Sequence, residues 1–198
     1  MQESFEIKGH TVEFLEDEHI YLCDGVILPS ITQILKIKFA NKYDGVSSEV
    51  LKRASELGTA VHKAIEDFEK YSIDDIGCIE LRNYKFLKKH YKFKCLDNEV
   101  SVILFKDDVP VACGRLDLVI NENGQVGLAD IKRTSTLDKD YLRYQLNLYR
   151  IAYQQCYGKN IEFLRALHLR NDVRKYIDIP INENEVISLL NEFLEGVN

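Results

Sequence analysis

Val111-Ala112-Cys113-Gly114-Arg115-Leu116-Asp117-Leu118-Val119-Ile120 and Gln125-Val126-Gly127-Leu128-Ala129-Asp130-Ile131-Lys132 are two strand-like runs separated by Asn121-Glu122-Asn123-Gly124. Asn-Gly between apolar runs signals a tight hairpin, because a two-residue type I′ turn needs positive φ at both central positions. With Asn123 and Gly124 in those positions, Glu122 pairs with Gln125, and counting back sets Asp117 opposite Asp130. Strand alternation then places Lys132 on the same face as Asp130. A four-residue turn, Asn121 to Gly124, would keep both acids on one face but move them to a diagonal. Like charges directly opposed destabilise a sheet, and an unpaired buried carboxylate costs several kcal/mol. Two acids in register beside one lysine therefore call for a bound cation. The competing reading is a hairpin in which Asp117 ends a strand and Asp130 and Lys132 form a solvated pair.

Carboxylates about 5 Å apart across strands offer hard oxygen ligands, which suit magnesium or manganese better than zinc or copper. Such an ion keeps several waters, and Lys132 is close enough to orient one or to stabilise its deprotonated form. A phosphodiester is the natural substrate, since a divalent ion neutralises charge on phosphoryl oxygens.

The motifs fall in a recognisable order: Gly58-x-x-x-His62, Gly114-x-x-Asp117, Asp130-x-Lys132 and Gln145-x-x-x-Tyr149. In this the chain resembles the PD-(D/E)XK nuclease superfamily. Within it, the likeness is to the RecB-type exonuclease branch of phage recombination nucleases, mitochondrial single-strand exonucleases and CRISPR-adaptation nucleases. The segment from His19 to Leu35 is similar to the lead-in of the phage-type members. The resemblance implies an α/β fold with a restriction-endonuclease-like core, a central mixed β-sheet flanked by α-helices. It also implies that His62, Asp117 and Asp130 are metal ligands, with the Ile131 carbonyl completing the protein shell. Lys132 would be the catalytic lysine alongside Asp117 and Asp130, and Gln145 and Tyr149 would hold the substrate. Thr134 and Ser135, just beyond Lys132, are candidates to donate to the same phosphate. The Pro-Asp pair of the superfamily signature is absent, since Leu116 precedes Asp117; this is usual in the RecB-type branch.

With 198 residues, one domain is expected: residues 1–46 as N-terminal hairpins and a short helix, 47–198 as the catalytic core. No apolar run approaches the ~18 residues of a membrane span, and no signal-peptide pattern is present. The expectation is no membrane association and a cytoplasmic location, in a host cytoplasm if the chain is phage-encoded. The net charge of −6 argues against a protein that coats long duplexes through many phosphate contacts. The segment from Arg82 to Lys94 has six cations and no acids: Arg82, Lys85, Lys88, Lys89, Lys92 and Lys94. It reads as a solvated helix face or as a strip tracking a phosphate backbone. The five cysteines are scattered without a CxxC, as for free thiols in a reducing compartment. The iron–sulfur cluster of some RecB-type relatives needs three cysteines after the Gln-x-x-x-Tyr helix. Only Cys156 lies beyond Lys132 at all, so none is expected.

Along the chain, two short hairpins turn at Gly9 and at Asp24-Gly25. Ser30 caps a helix from Ile31 to about Lys38, and Ser47 or Ser48 caps a long helix to about Tyr71. On that helix Ala54, Val61, Ile65 and Phe68 form an apolar stripe with His62 at its edge. Gly58, one turn earlier, costs about 1 kcal/mol of helix stability, which close approach by a backbone or a substrate would offset. A third helix runs from roughly Asp74 to Tyr91. A strand near Glu99 to Phe105 precedes the hairpin. A helix from about Asp138 to Tyr157 follows it, with Gln145 and Tyr149 inside the stripe of Leu142, Leu146, Ala152, Tyr153 and Cys156. Strands near Ile161 to Leu169 and Arg174 to Ile179 lead to a last helix from Asn182. Glu99 reads equally as an outer acid of the site or an edge-strand residue, and Glu66 as a surface residue that could reach the site only through water.

The expected activity is a magnesium- or manganese-dependent DNA nuclease, an exonuclease acting on single-stranded or frayed ends, with DNA and a recombination or CRISPR-adaptation protein as partners. The alternatives are a structure- or site-specific endonuclease, and a non-catalytic nucleic-acid-binding protein that retains the fold.

Overall fold

Two antiparallel hairpins open the chain and join into a four-stranded meander. They comprise β1 (Gln2–Ile7) with β2 (His10–Leu15), and β3 (Ile20–Cys23) with β4 (Val26–Leu28). The computed structural model describes residues 2–15 and 20–197; His19 lies outside them. Ser30 then caps α1 (Ile31–Ile34) in a reciprocal box, its hydroxyl accepting from Gln33 N while the Gln33 side chain accepts from Ser30 N. The expected single helix breaks at Leu35, and α2 (Lys36–Phe39) follows as a separate turn. Next come α3 (Ser48–Tyr71), capped by Ser47, and α4 (Ile79–Tyr91). The latter starts later than its acids suggested. Asp75 folds its side chain onto Gly77 N (2.9 Å), a local turn that competes with helix.

A second sheet carries the rest, in the order β5 (Lys94–Lys106), β6 (Val109–Glu122), β7 (Gln125–Lys132), β8 (Phe163–Arg170) and β9 (Val173–Ile179). Every pairing in it is antiparallel except β7 with β8. Parallel neighbours need a crossover, supplied here by α5 (Lys139–Tyr157); α6 (Glu183–Val197) closes the chain. The protein is thus α/β, with a mixed five-stranded sheet between helices. One face is sealed by α1, α5 and α6 over Val102, Leu104, Val119 and Leu128. The other is sealed by α3 and α4 over Leu118, Ile120, Ile131 and Leu167. The N-terminal meander packs Val12, Phe14 and Tyr21 onto Ile103, Phe105 and Cys113. Among the described residues no helix is long and apolar enough to cross a membrane.

Candidate active site

The hairpin register is the one counted from its turn. Asn123 (φ 52°) and Gly124 (φ 90°) both adopt positive φ, and Glu122 pairs with Gln125 and Leu118 with Ala129. One step further the ladder ends. Instead of a backbone pair, Asp117 Oδ2 accepts from Ile131 N at 2.6 Å. From here β7 stays with β8, where Asp130, Ile131 and Lys132 face Ala166, Leu167 and His168. The two aspartates stand at the opening between diverging strands, and Lys132 Nζ donates to Asp130 Oδ1 at 2.7 Å.

His62 enters from α3. Its Nε2 donates to the Ile131 carbonyl at 3.2 Å. Its Nδ1 faces Glu99 at 3.4 Å and Asp117 at 3.6 Å. Glu99 reaches this position through a distortion of β5. A register shift between Cys95 and Asp97 precedes it, and Glu99 itself has φ 50°. A non-glycine residue held there costs on the order of 1–3 kcal/mol. Asn98 pairs with Leu118 and Val100 with Leu116, so Glu99 stands across from Asp117. His62, Glu99 and Asp117 each offer a ligand atom within 4.8 Å of the others. Asp130 is not part of that group, being held by Lys132.

Burial drives the electrostatics. It pushes both aspartates above the usual carboxylate range, Asp130 to about 6, against the pull of Lys132. For His62, burial alone would favour the neutral ring. The Asp117 charge and the hydrogen bond and charge of Glu99 prevail and raise it to about 9. Burial opposes the charge on Lys132 too, yet Asp130 and Asp117 raise its pKa. At neutral pH the site therefore holds an imidazolium and an ammonium among three acids. Hard oxygen donors with one imidazole suit magnesium or, better, manganese, so the residues present fit such an ion.

Gln145 and Tyr149 come from α5. Gln145 Oε1 is buried and has no hydrogen-bond partner among the described residues. Tyr149 lies against Gly114, where a Cβ would meet its Cε1 at 2.8 Å. The glycine two steps before Leu116 is thus the space the tyrosine occupies. Thr134 and Ser135 are exposed, and the Thr134 carbonyl accepts from His168 Nε2 at 2.7 Å.

Some expectations fall elsewhere. The α3 stripe is buried only from Val61 onward; Ala54 is exposed because the first half of the helix stands clear of the sheet. Among the described residues, no atom outside the helix's own nearby backbone comes within 4 Å of a Cβ built at Gly58, so a close-packed neighbouring backbone is not its reason. Glu66 pairs with Lys63 and Lys70 along α3, as its surface reading expected. In the basic segment, Lys85 is paired with Asp74 and Lys88 with Glu69, which leaves no continuous strip. Two residues of the neighbourhood went unread in the sequence, Tyr141 and Lys42. Tyr141 had a signal, lying one helical turn before Gln145; Lys42 had none. A second grouping, His10, Cys23 and Asp24, lies on the meander, where His10 Nδ1 sits 2.7 Å from Asp24 Oδ2 and ties two turns together.

No protein-family model matches the chain, and no curated protein matches it. Among solved structures, the crystal structure of SSO0001 is similar at 17% identity with a TM-score of 0.49, covering 85% of this chain and 76% of that one. A likeness at that level says nothing of chemistry.

Proposed function

We propose that the protein is a magnesium- or manganese-dependent DNA nuclease of the PD-(D/E)XK type, close to the RecB-type exonucleases, with a restriction-endonuclease-like core. One observation carries the reading. Three potential ligands from three separate elements, His62, Glu99 and Asp117, converge beside an Asp130–Lys132 pair at the point where two central strands part. Glu99 thus joins His62 and Asp117 in the place that the expected set gave to Asp130. A divalent ion held there supplies charge neutralisation at the phosphoryl oxygens and a water of lowered pKa. The protein's own groups do the rest. Lys132 is an ammonium at neutral pH, so it donates to the attacking water or to a phosphoryl oxygen and does not accept a proton. Asp130 aims that ammonium. Gln145 supplies an amide whose oxygen awaits a donor, and Tyr149, wedged over Gly114, braces the α5 wall behind it. DNA is the partner this site serves, single-stranded or with a frayed end, and a recombination or CRISPR-adaptation protein would deliver it.

The test is digestion of labelled single-stranded, duplex and closed circular DNA in Mn²⁺, with and without EDTA. Loss of linear strands, an intact circle and complete inhibition by EDTA are expected. A cut circle makes the enzyme an endonuclease. Binding without any cleavage makes it a non-catalytic relative.

A further inference from the structure

The segment joining α2 to α3 is open to water. Across residues 40–50 every side chain is exposed except that of Lys42. This lysine turns inward onto the N-terminal end of α5, where its Nζ lies 3.1 Å from the centre of the Tyr141 ring and 3.3 Å from the Asp138 carboxylate. Tyr141, Gln145 and Tyr149 follow one another at intervals of four, so they share one face of α5. Tyr141 and Lys42 are both close enough to Lys132 and Asp130 to feel their charges. A cation has been carried from a solvent-exposed loop to the edge of the site.

Asp138 does not account for that placement. Its carboxylate already caps α5, accepting from Tyr141 N at 3.0 Å, and it is 40% exposed, where an ion pair contributes little. Burial outweighs the attraction of Asp138, and the Lys42 ammonium is held below the ordinary lysine range. Lys132 adds a like charge, which the Asp130 carboxylate partly offsets. Two ammonium groups, Lys132 on the Asp130 carboxylate and Lys42 over the Tyr141 ring on the Gln145 face of α5, describe a seat for an anion.

We propose that Lys42, backed by the Tyr141 ring, binds the phosphodiester next to the one that is cleaved, an inference that rests on the nuclease reading above. Lys42 is a substrate-binding residue that holds the strand in register while Lys132 serves the reacting phosphate. It takes no part in bond breaking.

The experiment measures binding of a short fluorescein-labelled oligothymidylate by anisotropy, with Ca²⁺ in place of Mn²⁺ and the strand checked for integrity. Cleavage in Mn²⁺ is measured in parallel. Lys42→Met should weaken binding about tenfold and lower the salt-dependence slope by about 0.7, the share of one single-strand phosphate contact. In cleavage it should raise KM roughly tenfold while kcat stays within about threefold. Lys42→Arg should recover most of the affinity, since it keeps the charge, and Lys36→Ala, on the exposed side of α2, should match the wild type. All four proteins should melt alike. If the wild type cleaves DNA and Lys42→Met binds with unchanged affinity and slope, the subsite is overturned. It is also overturned if Lys42→Met melts early and Lys42→Arg restores the fold without restoring binding. A wild type that neither binds nor cleaves removes the nuclease reading, and the subsite falls with it.

Discussion

At the scale of single residues, the site is a charge-balance problem solved with protons. Three acids are drawn together, and His62 and Lys132 supply the positive charge among them. His62 must lose a proton to become a ligand. Its pKa in the folded chain lies near 9, above the unperturbed value. The stability it contributes is therefore fully present below the unfolded value near 6.5 and is lost as pH rises through 9. Metal affinity must run the opposite way, because below pH 9 the ion competes with that proton. Mn²⁺ titrations between pH 7 and 8, above the range in which Asp130 titrates, should show affinity rising by about tenfold per pH unit, one proton released per ion; a flat profile would remove His62 from the ligand set. Glu99→Gln keeps the shape and removes the charge, and should weaken Mn²⁺ binding by at least about tenfold, about 1.4 kcal/mol. Lys132→Ala should slow cleavage by about 10²–10⁴-fold while leaving Mn²⁺ bound; near-normal cutting would end the lysine's role.

At the scale of elements, each ligand depends on a local departure from regular structure. The type I′ turn sets the β6–β7 register, and because Asn-Gly is legible in sequence, so was the pairing up to Leu118 with Ala129; the parting of the strands one step later, where Asp117 turns to Ile131 N, was not. Alternation placed Lys132 on the face of Asp130, and the pair that the competing reading took as solvated has its carboxylate buried. Glu99 was noticed only as an outer acid, since its arrival at His62 follows from a register shift and a left-handed residue in β5, which no alternation pattern announces. The start of α4 was misplaced for a similar reason, the Asp75 turn overriding helix-favouring acids. Glycines test these elements. Gly114→Ala would press a methyl group against Tyr149 and should cost about 1–3 kcal/mol, read from urea unfolding, with cleavage reduced as the tyrosine shifts. Gly58→Ala meets open space and should raise stability by about 0.5–1 kcal/mol. If the strand passes over that face of α3, the same variant should cut more slowly. Stability gained with activity unchanged would show that this glycine does not serve the substrate.

At the scale of the whole molecule, the architecture brings distant segments to one opening: α3 from one face of the sheet, α5 from the other, and the diverging ends of β6 and β7 between them. Periodicity and turn chemistry made much of the layering legible, through the apolar stripes of α3 and α5 and the turns at Gly9, Asp24-Gly25 and Asn123-Gly124. Lys42 was not legible, since its neighbours Asp138 and Tyr141 are nearly a hundred residues away in sequence and only the packed fold unites them. The central claim is that His62, Glu99 and Asp117 hold a divalent ion beside the Asp130–Lys132 pair. An anomalous difference map from crystals grown with Mn²⁺ tests it most directly. The account predicts a peak within bonding distance of those three side chains. A map with no peak there, or with manganese only at His10 and Asp24 on the N-terminal meander, would contradict it.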